Sequence, residues 1–184
     1  MRRRLFAAIV IVVALVLQAI VVNRLPLPGG VVPDLVLLAV VALALVYGPL
    51  PGLVTGFCAG LIADIVPPAD HTIGQYAFVF CLVGYVAGLA QTEMDRSSVM
   101  PFIAMVVGAV GGCVLYALLG GLLGDPRITW TTARHIVPLT ALYDVLLSPF
   151  VLYLVFRLGR RFEPIDHDTV LTVGTRTLDR YRTR

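Results

Sequence analysis

Charge is scarce in this chain. Only 14% of its 184 residues are Asp, Glu, Lys or Arg, against about 25% in an ordinary soluble domain. So little polar surface excludes a soluble globular protein. Lysine is missing altogether, so all 14 basic residues are arginine. Cysteine is limited to Cys58, Cys81 and Cys113, an odd number, each inside an apolar run and without metal-ligand or redox spacing. They read as small packed hydrophobes. The three histidines fall in loops or in the C-terminal tail. The patterns G-x-S-x-G and H-E-x-x-H and the phosphate-cradling glycine loop are all absent, so nothing points to catalysis, a metal or a cofactor. The net charge of +3 is spread too thinly to suggest a nucleic-acid partner.

What is present is apolar sequence: 59% of residues are hydrophobic and the mean hydropathy is +0.93. The expectation is an all-α, polytopic membrane protein. Residues 1–156 form a six-helix transmembrane domain, and residues 157–184 form a polar, arginine-rich cytoplasmic tail with little fixed structure. Arg2, Arg3 and Arg4 precede an uncharged run at 5–22. That run is longer than a secretory signal core, and it reads as a retained first span. Its interior Gln18 is expected to bond a neighbouring helix. Further spans are expected at 75–90, 99–123 and 136–156, after two arms within 33–66. The loop 124–135 carries Trp130, which suits an interfacial anchor.

The two arms within 33–66 organise the rest. Between Asp34 and Asp64 lie 29 residues without a charge. A single helix of that length would rise about 44 Å, more than the ~30 Å hydrocarbon core requires. Its centre reads Gly48-Pro49-Leu50-Pro51-Gly52, a sequence that will not continue a helix. A helical hairpin turning there places Asp34 and Asp64 at one membrane face. In the second arm Gly52, Gly56, Gly60 and Asp64 recur every four residues, a stripe suited to close contact with another helix. Gly84 and Gly88 repeat that spacing in the next span, with Tyr85 beside them, and Gly108 and Gly112 do so in the fifth.

Arginine placement sets the expected orientation. With six spans both ends share a side, which holds Arg2, Arg3, Arg4, Arg96, Arg157, Arg160 and Arg161, against Arg24, Arg127 and Arg134 opposite. Seven against three places both ends in the cytoplasm. Asp144 is then out of place near mid-membrane, where a carboxylate costs roughly 3 kcal/mol on insertion scales. Thr140 and Ser148, four residues to either side, are the expected hydrogen-bond partners. With no second charge inside the spans, a helix–helix hydrogen bond is favoured over a proton or ligand site. Asp34 and Asp64 are read as capping helices or meeting a partner rather than as a catalytic acid–base pair.

The order of several short motifs resembles a known family. An arginine-rich start, a late glutamine in the first helix, PDLVLL after P-L-P-G-G, G-P-x-x-G, G-F-x-x-G-L-x-x-D, H-x-x-G and G-Y-x-x-G cover residues 2–90 and look like the MreD family of rod shape-determining membrane proteins. The second half is similar in span number and in a polar residue in the last helix, commonly asparagine in the family and Asp144 here. The resemblance implies a non-catalytic multi-pass protein of the bacterial inner membrane. Its implied partners are MreC, the actin-like MreB, and RodA with its penicillin-binding partner, in rod or spore-wall growth. In that setting Asp34, Gly52, Gly56, Gly60, Asp64, Gly84, Tyr85, Gly88 and Asp144 are candidates for helix packing or partner contact. The alternative is a substrate-binding membrane subunit of an energy-coupling-factor transporter. Such subunits carry A-x-x-x-A in helix one, whereas Ala7 and Ala8 are followed at the fourth position by Ile11 and Val12. A proton-coupled transporter built on Asp144 lacks a second buried ionisable group.

Overall fold

The computed structural model describes residues 2–66, 74–93, 99–123 and 130–162. Among them are six α-helices and no strand: α1 (Arg2–Ile20), α2 (Leu35–Tyr47), α3 (Pro49–Ile65), α4 (Gln75–Leu89), α5 (Met100–Leu122) and α6 (Trp130–Phe162). Four spans among the described residues are long and apolar enough to cross a membrane: Arg3–Arg24 (α1 with the turn after it), Gln75–Glu93 (α4 extended by the 3₁₀ turn Ala90–Glu93), Met100–Leu122 (α5) and Ile136–Gly159 (within α6), whereas α2 and α3 stand as shorter apolar helices. This is a helical membrane protein.

The short helix α2 is the axis of the bundle. It touches each of the other five, which close a ring around it in the order α1, α3, α4, α5, α6. Every residue from Val36 to Leu45 is buried. A helix that is apolar on all sides, as this one is, belongs inside a bundle rather than at its edge. Thirteen residues rise only about 20 Å, less than the ~30 Å hydrocarbon core. The segment before it holds two short 3₁₀ turns, Val22–Arg24 and Pro28–Gly30. Gly29 adopts φ +86°, and a Cβ there would lie 2.3 Å from Leu139 on α6. The positive φ is what favours glycine there, since the end of the Leu139 side chain can shift.

The hairpin forms, but its turn is shorter than the pentapeptide expected from sequence. Gly48 alone leaves helical geometry, with φ +90°. Pro49, Leu50 and Pro51 open the first turn of α3, where amide groups have no helical partner and proline is tolerated, and the Gly52 amide makes the first helical bond, to the Gly48 carbonyl at 3.0 Å. Val46 at the end of α2 keeps a partner for its carbonyl, which accepts 2.9 Å from Gln91 Nε2.

Helix α6 begins at Trp130 and ends at Phe162, whereas its apolar run spans 136–156. Hydropathy marks the membrane, not the ends of the helix. Trp130 therefore opens α6 instead of lying in a loop, and its side chain is outside the described residues. So are the loop with His71, residues 94–98 with Arg96, and the tail from 163 onwards, whereas 157–162 is helix. Pro149 deprives the Val145 carbonyl of its helical donor. The Ser148 hydroxyl donates to that carbonyl at 2.7 Å and makes good the loss.

Candidate functional site

The glycines of α3 meet α4 backbone to backbone. A Cβ on Gly52 would lie 2.4 Å from the Gly84 carbonyl oxygen, one on Gly56 2.1 Å from that of Phe80, and one on Gly60 2.4 Å from that of Tyr76. Gly88 lies against Pro49 in the same way, at 2.5 Å. Each step of four residues along α3 is thus matched by a step of four back along α4, so the two helices run antiparallel in a single register. No side chain, even methyl, fits between them. Gly108 and Gly112 on α5 receive the side chains of Val41 and Leu37 from α2. Tyr85 does not join this seam. It is on the outer face, where it lines a shallow apolar groove with Leu53, Phe78, Cys81 and Leu82.

Asp64 ends the α3 stripe and is wholly buried. Its carboxylate accepts from three backbone amides at the start of α4: Gly74 N at 2.9 Å, Tyr76 N at 3.1 Å and Ala77 N at 3.0 Å. Gly74 occupies the N-cap position with φ +101° and has no side chain with which to cap. Asp64 supplies the missing cap from another helix. Next to it, Gln75 Nε2 donates to the Tyr116 carbonyl of α5 at 3.0 Å, and the Tyr76 and Tyr116 rings lie 4.7 Å apart.

A second acid–amide site lies at the start of α2. The Asp34 amide donates to Asp144 Oδ1 at 2.6 Å, the Leu35 amide to Gln18 Oε1 at 2.8 Å, and the Leu37 amide to Asp34 Oδ1 at 2.9 Å. Side chains from α6, α1 and the N-cap itself thus hold three orphan amides of the central helix. Gln18 Nε2 also donates to the Pro33 carbonyl and to Asn23 Oδ1, both at 3.0 Å. The second oxygen of Asp144 faces the Cys113 thiol of α5 at 3.7 Å. Thr140 and Ser148 do not serve Asp144: they donate to the Ile136 and Val145 carbonyls of their own helix. Helix-backbone acceptors one turn away win that competition.

Asp34 and Asp64 therefore serve separate helix starts. Asp34 is grouped instead with Asp144, a contact 110 residues away in sequence. Sequence reasoning missed three participants. For Gln75 and Gln91, glutamine at a helix end is a usable signal, whereas Cys113 gives none. Among the described residues no group of His, Cys, Asp or Glu is arranged to hold a metal. Chemically, both sites do one thing: a buried acid from one helix accepts the orphan backbone amides at the start of another.

Fold and sites together define a helical membrane protein whose buried acids are joined to helix starts. The family model described as rod shape-determining protein MreD matches residues 2–161. The chain belongs to the MreD family, and its role is in determining cell shape. No curated protein and no solved structure matches it.

Proposed function

We propose that the protein is a non-catalytic scaffold of the wall-elongation machinery in the bacterial inner membrane. It crosses six times with both ends cytoplasmic, and it links MreC and MreB to RodA and its penicillin-binding partner. The observation that carries this reading is the family match over residues 2–161. The inward use of polar groups supports it. Asp34, Asp64 and Asp144 each accept from backbone amides at a helix start, a packing use of these carboxyls. The outer surface is apolar, with Leu50, Val54, Phe57 and Ile65 exposed along α3 and Phe78, Leu82 and Val86 along α4, a surface suited to lipid and to partner helices.

The test is purification of a tagged copy from native membranes. Recovery of MreC is the expected result. Recovery of paired ATPases with a coupling subunit, and no wall-synthesis protein, would replace the scaffold by the transporter.

A further inference from the structure

Asp64 and Asp144 are both wholly buried, yet they are held differently. Asp64 accepts from three backbone amides, which stand in for water around its two oxygens. Asp144 accepts from one, the Asp34 amide at 2.6 Å. Its other oxygen meets only the Cys113 thiol, 3.7 Å away, and a thiol is a weak donor.

The groups that face Asp144 bring no positive charge to make up the difference. Helix α5 presents Cys113, and the start of α2 presents Asp34. Helix α1 presents Gln18, whose amide group is engaged with Leu35, Pro33 and Asn23. Tyr143 of α6 donates instead to the Pro28 carbonyl. Tyr76 of α4, stacked near Tyr116 of α5, is within electrostatic reach of Asp34. Among the described residues no arginine or histidine acts on Asp144, whereas Asp34 does. A side-chain oxygen of Asp34 lies no more than about 5 Å from its own amide nitrogen, so the two carboxyls stand within about 8 Å of each other. By sequence, Asp144 has no charged neighbour inside the spans. The fold gives it one, and the sign is the same. Asp34 is only half-buried and also accepts from the Leu37 amide, so it is the better placed of the two to carry a charge. A carboxyl out of water, short of donors and beside another acid, takes up a proton instead.

We propose that Asp144 is a proton-binding site: it stands as the neutral carboxylic acid beside the Asp34 carboxylate, and the tie between α2 and α6 depends on that proton. As the acid it keeps Oδ1 as acceptor for the Asp34 amide and carries the proton on Oδ2, the oxygen that faces Cys113. Loss of the proton would put two like charges at the start of the axial helix. The sign of the pH dependence follows. The folded chain holds a proton that the unfolded chain, in water, releases above the ordinary carboxylate range. Stability therefore falls as pH rises through that interval, until Asp144 itself ionises.

The full chain in neutral detergent micelles is followed by infrared spectroscopy and by urea titration. The carbonyl band of a protonated carboxyl should be present in the parent at neutral pH. It should be missing from Asp144→Asn and retained in Glu93→Gln, an exposed acid beyond the far end of α4. Between about pH 5 and neutrality the folding constant of the parent should fall about tenfold more per pH unit than that of Asp144→Asn. Cys113→Ala should keep the band but shift its frequency, and it carries the comparison if Asp144→Asn fails to fold. Absence of the band from the parent overturns the proposal, as does its survival in Asp144→Asn. So do equal pH slopes in parent and Asp144→Asn, or an unmoved band in Cys113→Ala.

Discussion

At the scale of single residues, the molecule uses carboxylates as caps that cross from one helix to another. Asp64 accepts three amides and Asp144 accepts one, together with a weak thiol contact. Leaving a buried donor unpaired costs about 1–3 kcal/mol, so the two sites should differ. Asp64→Ala should lose about 3 kcal/mol or more, and Asp144→Ala about 1–2 kcal/mol. Asparagine keeps an acceptor oxygen, so Asp144→Asn should retain most of the stability and function, and Asp64→Asn only part. Asp144→Leu should be worse than Asp144→Asn. Thermal melts in detergent alongside complementation of a depleted strain check the order. An active Asp144→Leu beside an inactive Asp144→Asn could not arise from hydrogen bonding. That Asp144 needed a partner was legible in the sequence, because a carboxylate in an apolar helix must be satisfied. The partner was not, because it is a backbone amide, and backbone amides carry no sequence label. Thr140 and Ser148 looked suitable by spacing alone, but each had a closer carbonyl in its own helix.

At the scale of elements, spacing was the more informative signal. Glycines four apart in α3 and α4 announce smooth faces. They do not say that Gly52 meets Gly84 rather than Gly88, since either register would bury the same residue types. The register is fixed in part by Asp64, whose carboxylate must reach the start of α4. The central place of α2 was hidden for the opposite reason: a helix that is apolar on all sides has no face from which to read its neighbours. The α3–α4 seam gives a sharp expectation. Gly56→Ala would place a Cβ 2.1 Å from a backbone oxygen of α4, which no rotamer change relieves. The helices would have to part, at a cost of about 3 kcal/mol, the upper end of ordinary overpacking. Gly111→Ala meets nothing within 4 Å and should fall within about 1 kcal/mol of the parent, toward greater stability. Folded yield and melting midpoint of the two variants separate the cases. Equal behaviour would mean that α3 and α4 are not in this contact.

At the scale of the whole molecule, the chain alternates direction. The starts of α1, α3 and α5 share an end with the finishes of α2, α4 and α6, as the pairs Phe6–Gly159, Gly52–Gly84 and Val41–Gly108 require. The polar sites of Asp34, Asp64 and Asp144 then all lie toward the other end, with Gln18 and Gln75. Orientation in the membrane follows from charge, because arginine resists transfer across the bilayer. By sequence, seven arginines flank one side of the spans against three on the other, and on the proposed topology the Asp34 and Asp64 end lies outside the cytoplasm. A reporter active only beyond the cytoplasmic membrane, fused after Arg184, should be silent. The same reporter inserted between residues 124 and 129, in the connection from α5 to α6, should be active. The insertion avoids residues 130–135 because these begin α6, where an insert would break the helix and confuse topology with misfolding. The reverse pattern would invert the molecule. It would put the end where α1 starts and α6 finishes outside and turn the acid-capped end toward the cytoplasm.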